Sequence, residues 1–161
     1  MTAKAPTFIT DDRVAWAYIK SMDFSLIRDK IRKSHPHWDD AFIAAAIRAY
    51  KQFMFVSRKA REQNMVVTPH LAVDEVWHEH VLCTRRYMAD CNAILGGYMH
   101  HSPGEVGKPS DGDKQAFADT NRLIRRYFGQ NEDPRVTLKH MPCGCDACMQ
   151  VFYAGKVTAS A

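Results

Sequence analysis

Residues 74–95 constrain the fold more than any other stretch, because they include no proline or glycine and their apolar residues recur at helical spacing. At about 100° per residue, one helix face collects an apolar stripe roughly 140° wide. The stripe contains Val73, Val76, Trp77, Val81, Tyr87, Met88, Cys91, Ile94 and Leu95. A helix with one apolar face is buried against other elements, and the rest of the chain carries little of the alternating pattern of strands. The sequence therefore predicts an all-α fold.

The histidines are concentrated in this region, since four of the eight fall within residues 73–102. On the helical wheel His80 lies near the middle of the apolar stripe, whereas His78 lies roughly 160° away from it. His78 instead shares a face with Asp74, one turn earlier. The two histidines of the Trp-His-Glu-His sequence therefore cannot bind the same ion from a regular helix.

Asp74 and His78 form the better metal candidate on local geometry. A carboxylate and an imidazole one turn apart can share an ion, or the carboxylate can orient the ring. The alternative for this pair is a surface hydrogen bond. His80 is a further candidate ligand, and its alternative is a core histidine bonded to a hydroxyl such as that of Thr84.

A second pair of histidines, His100 and His101, follows two glycines at the end of the helix or in the loop after it. In a straight helix about 30 Å separates His78 from His100, and one site could not contain both. A break at Cys83, with Thr84 as a new N-cap, would shorten this distance. The sequence alone does not decide between these cases, so His100 and His101 both stay candidate ligands.

Tyr87 and Asp90 are the candidates for catalysis. A hydroxyl or carboxyl group beside a bound ion can transfer a proton or orient a ligand, and metal-assisted hydrolysis or oxidation would suit such a site. No base, nucleophile and oxyanion donor converge visibly in the sequence, so the reaction stays open. The alternative is a non-enzymatic protein-interaction module, in which the motif is a buried polar network that fixes helix packing.

The same residues resemble a known family. The pattern D-x-x-W-H-x-H-x-L-x-T-x-x-Y-x-x-D-C, followed by a glycine and by H-H-x-P, is similar to the glycine-rich domain-containing protein-like family of bacteria and plants. In this chain the pattern is formed by Asp74, Trp77, His78, His80, Leu82, Thr84, Tyr87, Asp90, Cys91, Gly97, His100, His101 and Pro103. Further matching residues are Met22, Asp23, Phe24, Ser25, Ile27, Trp38, Tyr50, Lys51, Phe53, Tyr127, Phe128 and Gly129.

The resemblance covers roughly residues 20–130 of the chain. It implies a helical domain whose biochemistry is poorly defined. The plant members of the family carry further domains and glycine-rich tails that this sequence lacks. Cys83 stands where an acidic residue is expected, so no ligand is carried over to that position.

The other helices are predicted from caps and periodicity. A short helix covers residues 11–20, a second begins at a Ser21 or Asp23 cap, a third runs from an Asp39 cap to about Glu62, and the last runs from an Asp113 cap to Phe128. Thr68 and Pro69 supply the N-cap and first position of the central helix. We therefore expect a compact bundle of four to five helices over residues 1–135, followed by a Cys-rich tail over residues 136–161.

The tail carries a second candidate site, in which all ligands fall within nine residues. Its members are His140, Cys143, Cys145 and Cys148. Thiolates and an imidazole are the natural ligands of tetrahedral zinc, while the tight spacing and the flanking methionines leave Cu(I) as an alternative. A tail with merely exposed thiols is a further alternative, as is a tail that folds back and supplies ligands to His100 and His101.

Composition narrows the class of protein. A length of 161 residues predicts one domain with a sizeable core. No apolar run approaches the roughly 18 residues of a membrane span, and residues 1–12 lack the apolar core of a secretory signal, so we expect a cytoplasmic protein without a membrane partner. Basic residues are scattered over the predicted helices at a net charge of +4, which argues against a nucleic-acid partner.

The cysteine count indicates metal rather than disulfides. Five cysteines are an odd number, which argues against a closed disulfide framework, and clustered thiols in a reducing compartment more often bind metal. Zinc is the expected cofactor, with iron or copper as alternatives. A protein partner belongs to the interaction-module alternative, and the oligomeric state stays open.

Overall fold

The structure is a computed structural model that describes residues 7–102, 110–129, 133–136 and 150–153. These ranges form six α-helices, a 3₁₀ turn at Pro134–Val136 and two short strands. The helices are α1 (Asp12–Ser21), α2 (Ser25–Ser34), α3 (Asp40–Glu62), α4 (Leu71–Leu82), α5 (Thr84–Leu95) and α6 (Asp111–Phe128). The predicted all-α fold is confirmed, with one helix more than expected. No described helix combines the length and the hydropathy that a transmembrane span requires.

Helix α3 is the centre of the bundle, because it contacts each of the other five described helices. It begins as predicted after Asp39, whose carboxylate accepts a hydrogen bond from the backbone N–H of Phe42 at 2.7 Å. Ala45, Ala46 and Ala49 are buried along it and let neighbouring helices approach closely. Its length of 23 residues gives the other helices one common surface to pack against.

The predicted central helix is broken in two at Cys83, which has φ −83° and ψ 55° and ends α4 while capping α5. Thr84, the expected N-cap, is instead the first residue of α5. The break changes the phase of the helical wheel for every later residue. For that reason the prediction of Met88 in the buried stripe is wrong, and this side chain is 51% exposed.

The start of α4 also differs from the prediction. Its N-cap is His70, whose Nδ1 accepts from the backbone N–H of Ala72 at 3.3 Å. The predicted cap, Thr68, lies in the connector before the helix, and its backbone N–H donates to the Thr120 hydroxyl of α6 at 2.9 Å. A tertiary contact therefore holds Thr68 and moves the beginning of α4 to Leu71.

Two other predicted caps are displaced by one to three residues. Helix α2 follows Phe24, and the carboxylate of Asp23 accepts from the backbone N–H of Ser25 at 2.9 Å without being the cap itself. Helix α6 is capped by Ser110, while Asp113 closes a capping box by accepting from the Ser110 backbone N–H at 2.8 Å. Both acidic residues accept hydrogen bonds from backbone N–H groups at a helix start. For this reason they resemble caps in the sequence.

A turn after α5 brings His100 and His101 back across the bundle. Gly96 ends α5 with φ +69°, a left-handed conformation that favours glycine, and its backbone N–H bonds to the carbonyl of Asn92 at 3.0 Å. The chain then forms β1 (Met99–Ser102), which pairs antiparallel with β2 (Gln150–Tyr153). The two histidines therefore lie in a strand rather than at a helix end or in a loop.

Candidate metal centre

Three side chains from two elements converge beside α4. Asp74 and His78 lie one helical turn apart on α4, and His101 comes from β1. Asp74 Oδ2 is 3.6 Å from His78 Nε2, and Asp74 Oδ1 is 3.4 Å from His101 Nε2. One ligand atom from each residue lies within 4.8 Å of the other two. We call these three residues the Asp74 cluster, and it is the only group of this kind in the described part of the chain.

The spacing of the Asp74 cluster fits a shared ion better than direct hydrogen bonds. The two nitrogen–oxygen distances, 3.4 and 3.6 Å, both exceed the roughly 2.7–3.2 Å of an N–H···O hydrogen bond. Ligand atoms about 2.0–2.1 Å from a tetrahedral zinc ion lie roughly 3.3–3.4 Å from each other. Both distances from the Asp74 carboxylate to the imidazole nitrogens are therefore close to those around a shared ion.

Two atoms of the Asp74 cluster lack a hydrogen-bond partner although they are buried. They are Asp74 Oδ1 and His101 Nε2, the same atoms that face each other at 3.4 Å. Their separation counts as an ion-pair contact but does not meet hydrogen-bond geometry. Buried polar atoms are almost always paired, and exceptions mark a bound water, an ion or a functional group. This pair of atoms is the strongest structural sign of a ligand in the described residues.

The three side chains of the Asp74 cluster differ in their exposure to solvent. The side chain of Asp74 is 3% exposed, that of His101 is 15% exposed and that of His78 is 39% exposed. The carboxylate thus forms the floor and the His78 ring forms the rim. A ligand bound there would be held by buried atoms and reached from the surface.

Trp77 and Tyr87 hold β1 against α4 and so position His101. The indole Nε1 of Trp77 donates to the Tyr87 hydroxyl oxygen at 2.8 Å, and that hydroxyl donates to the backbone carbonyl of Met99 at 2.6 Å. Both side chains are fully buried. The edge of the Trp77 ring also packs against the His101 ring at a centroid distance of 4.8 Å. The strand is therefore fixed two residues before the candidate ligand.

His80 belongs to a second, separate group of polar side chains. Its Nδ1 lies 2.9 Å from the Tyr50 hydroxyl and its Nε2 lies 3.1 Å from the Asp90 carboxylate, whose other oxygen accepts from the Tyr18 hydroxyl at 2.6 Å. We call His80, Asp90, Tyr18 and Tyr50 the His80 network. Both ring nitrogens of His80 have hydrogen-bonding partners, and His80 is not part of the Asp74 cluster. The expected bond to Thr84 is replaced by bonds to Tyr50 and Asp90.

Burial keeps the two tyrosines of the His80 network protonated. Burial raises the pKa of Tyr50, and burial together with the bond to Asp90 raises the pKa of Tyr18. Both hydroxyls therefore keep their protons at neutral pH and can donate. With Tyr50 donating to Nδ1, the His80 tautomer that carries its proton on Nε2 donates to Asp90. Every polar atom of this chain of bonds has a partner of matching type.

His100 lies outside the Asp74 cluster. Successive side chains of a strand point to opposite faces, so His100 is exposed where His101 is turned inward. The His100 ring instead packs on Tyr98 at a centroid distance of 4.8 Å. The two histidines that the sequence offered as equal candidates therefore lie in different surroundings, and His101 alone is part of the Asp74 cluster.

Tyr87 and Asp90, the two candidates for catalysis, both form hydrogen bonds with other protein groups. The Tyr87 hydroxyl is engaged by Trp77 and Met99, and burial raises its pKa. The two Asp90 oxygens are hydrogen-bonded to Tyr18 and His80, and Arg86 Nε lies 3.7 Å from Asp90 Oδ2. Each polar side-chain atom of these two residues therefore has a hydrogen-bonding partner within the protein.

Sequence reasoning missed two members of the His80 network, Tyr18 and Tyr50. Tyr50 stood in the family pattern without an assigned role, and its hydroxyl on a buried helix face was the signal that could have identified it. Tyr18 gave no local signal, because it is 72 positions from Asp90 in the sequence. Only the packing of α1 against α5 brings the two together.

The tail ligands His140, Cys143, Cys145 and Cys148 lie outside the described residues. The nearest described part of the tail is β2, where Val151 pairs with His101 and Phe152 with His100 in the strand register. Within the described ranges, Cys83 and Cys91 are free thiols. Burial raises the pKa of Cys91 to about 11.

Comparison with known proteins identifies the family to which the chain belongs. A family model described as UCP032817-like matches residues 15–134, which include the whole Asp74 cluster and the whole His80 network. The chain is also 28% identical over 102 residues to glycine-rich domain-containing protein 2 of Arabidopsis thaliana, a match that covers 60% of this chain but 13% of that protein. No solved structure matches. The predicted resemblance to glycine-rich domain-containing proteins is confirmed, and the chain belongs to the UCP032817-like family.

Proposed function

We propose that this protein binds a divalent transition-metal ion through Asp74, His78 and His101. One observation carries the proposal: Asp74 Oδ1 and His101 Nε2 are buried, lack hydrogen-bond partners and face each other at 3.4 Å. An ion between them would satisfy both atoms and would reach His78 Nε2 on the exposed side. This arrangement supports metal binding by the helical domain, with metal-dependent catalysis as the finer proposal.

Zinc is the first ion to test, since two imidazole nitrogens and one carboxylate oxygen form one of its common ligand sets. The same donors also suit iron and copper, so both belong in the test. Catalytic zinc sites typically have three protein ligands and one water, whereas structural sites have four protein ligands. The count of three in the described residues favours the catalytic type.

The tail remains a second proposed zinc site, based on the chemistry of His140, Cys143, Cys145 and Cys148. It belongs to the alternative function, a protein-interaction module with structural zinc. One observation favours that alternative in part: the His80 network accounts for His80 and Asp90 of the family motif without any ligand. The two functions differ in where the metal must be bound.

Metal content measured by elemental analysis separates them. The untagged full-length chain is compared with His78→Ala, His101→Ala and a variant in which the three tail cysteines are serine. His100→Ala is the matched control, because His100 neighbours His101 but is exposed on the opposite face. We expect the cysteine variant to keep about one equivalent, and His78→Ala and His101→Ala to hold about one equivalent less than the control.

Two results would contradict the proposal. Equal metal in wild type, His78→Ala and His101→Ala would remove these residues as ligands. Metal that disappears only with the tail cysteines would assign the ion to the tail and favour the interaction module. Circular dichroism of each variant checks that a loss of metal is not a loss of helix.

A further inference from the structure

We infer that an ion at the Asp74 cluster keeps exchangeable coordination positions and binds a small anionic oxygen-donor ligand, such as a carboxylate or a hydroxamate, on the side of His78. This inference rests on the proposed function and adds to it the class of ligand that the site accepts. It is carried by the arrangement of the three ligands, by the engagement of the neighbouring carboxylates and by charge.

The three ligands approach the ion from the protein side. Asp74 and His78 extend from α4, and His101 extends from the neighbouring β1. The exposed fraction of the side chain is 3% for Asp74, 15% for His101 and 39% for His78. The uncovered side of the ion would therefore face solvent beside His78. A tetrahedral or octahedral ion with three ligands on one side has its remaining positions on the other.

Nearby carboxylates that could fill these positions are occupied elsewhere. Glu75 Oε2 lies 3.5 Å from His35 Nε2, and Glu79 Oε2 lies 3.4 Å from Lys30 Nζ. Both glutamates are next to a candidate ligand in sequence, but these pairs direct them toward the α2 side of α4. No other histidine, cysteine, aspartate or glutamate of the described residues joins the Asp74 cluster. As far as the described residues go, the remaining positions are therefore available to a ligand from solution.

Charge selects an anion for those positions. A divalent ion held by two neutral imidazoles and one carboxylate keeps a net charge of about +1. The buried carboxylate of Asp74 cannot be supplemented by Glu75 or Glu79, which are held by the pairs just described. An anionic ligand with two oxygen donors would neutralise the site and fill two adjacent positions, as substrates do at metal centres with open positions.

Cobalt substitution tests the inference without an assay of activity. The metal-free full-length protein is loaded with Co²⁺, and its visible absorption is recorded during titration with acetohydroxamate, a bidentate oxygen anion. Acetamide, a neutral analogue, is the ligand control, and His100→Ala is the protein control. We expect a saturable change of the cobalt bands with acetohydroxamate in wild type and in His100→Ala, and none with acetamide. Cobalt measured after gel filtration confirms that the ion stays bound.

The opposing outcomes are distinguishable. Bound cobalt whose spectrum does not respond to acetohydroxamate, or cobalt that acetohydroxamate strips off, overturns the open position but leaves metal binding intact. An intense thiolate-to-cobalt absorption that is lost when Cys143, Cys145 and Cys148 are changed to serine shows that the tail closes the site, and it overturns the inference as well. Failure to bind cobalt at all, or equal cobalt binding by His78→Ala, rejects the proposed function itself.

Discussion

The Asp74 cluster and the His80 network each combine an aspartate with a histidine of α4, yet they differ in how completely their polar atoms are hydrogen-bonded. In the His80 network both imidazole nitrogens and both carboxylate oxygens have partners at 2.6–3.1 Å. In the Asp74 cluster the contacts are 3.4 and 3.6 Å, and two buried atoms lack hydrogen bonds. A complete set of hydrogen bonds stabilises the packing of the helices. An incomplete set leaves polar atoms that can bind a ligand.

This difference separates two histidines that are only two positions apart. His80 is fully buried and links α4 to α3 and α5 through Tyr50 and Asp90. His78 lies on the other side of α4, at the rim of the Asp74 cluster. We therefore expect changes in the two groups to affect different quantities, stability in one case and metal affinity in the other.

The largest effect is expected for His80→Ala, which leaves the Asp90 carboxylate and the Tyr50 hydroxyl buried without their partner. We expect the free energy of unfolding to fall by about 3–5 kcal/mol, measured by urea denaturation. Metal content per folded molecule should not change. Tyr50→Phe removes one bond and should cost about 1–2 kcal/mol, so the trend can be tested even when the alanine variant does not fold. Loss of metal in folded Tyr50→Phe would mean that the two groups act as one.

The next effect concerns Asp74→Asn, which preserves shape but removes the charge of the central ligand. We expect metal affinity to fall by at least about 100-fold, measured by competition with a chromophoric chelator. The stability of the metal-free protein should not decrease, because Asp74 Oδ1 has no hydrogen bond to lose. Glu75→Gln, the adjacent carboxylate that pairs with His35, is the matched control. Equal losses in both variants would point to a nonspecific charge effect.

A smaller effect is expected for Tyr87→Phe, which connects the two groups through β1. The change removes the bond to the Met99 carbonyl and the acceptor for the Trp77 N–H, and it should lower the free energy of unfolding by about 1–3 kcal/mol. Because the bond fixes the strand that carries His101, metal affinity should also fall by about 10-fold. Tyr98→Phe is the control, because the Tyr98 ring packs against the Tyr87 ring. Unchanged affinity in Tyr87→Phe would show that β1 needs no such anchor.

The smallest effect is a loss of stability at alkaline pH. Burial raises the pKa of Cys91 from its ordinary value of 9.0 to about 11, so the folded protein keeps this proton longer than the unfolded chain. The resulting stabilisation is complete below pH 9.0 and is lost as the pH rises to about 11. Urea denaturation across this range should show a decline that is shallower in Cys91→Ala. A decline of the same slope in both proteins would assign it to the buried tyrosines.

Local patterns in the sequence predicted much of the fold. The Asp39 cap and the end of α3 at Glu62 agree with the structure, because capping depends on residues within one turn. The sequence left open whether the central helix is straight or broken at Cys83, because no proline or glycine lies at the break. The shifted start of α4 could not be predicted, because it depends on the bond between Thr68 and Thr120, 52 positions apart.

The sequence by itself determined the helical class, the family and the opposite orientation of His78 and His80, because these follow from periodicity and motif within a few helical turns. Only the tertiary structure decided that His101 and not His100 joins Asp74, and that Tyr18 and Tyr50 complete the bonds of His80 and Asp90. The physical reason is that these contacts join residues far apart in the chain. Their distances are set by the break at Cys83, by the turn at Gly96 and by the packing of the other helices around α3.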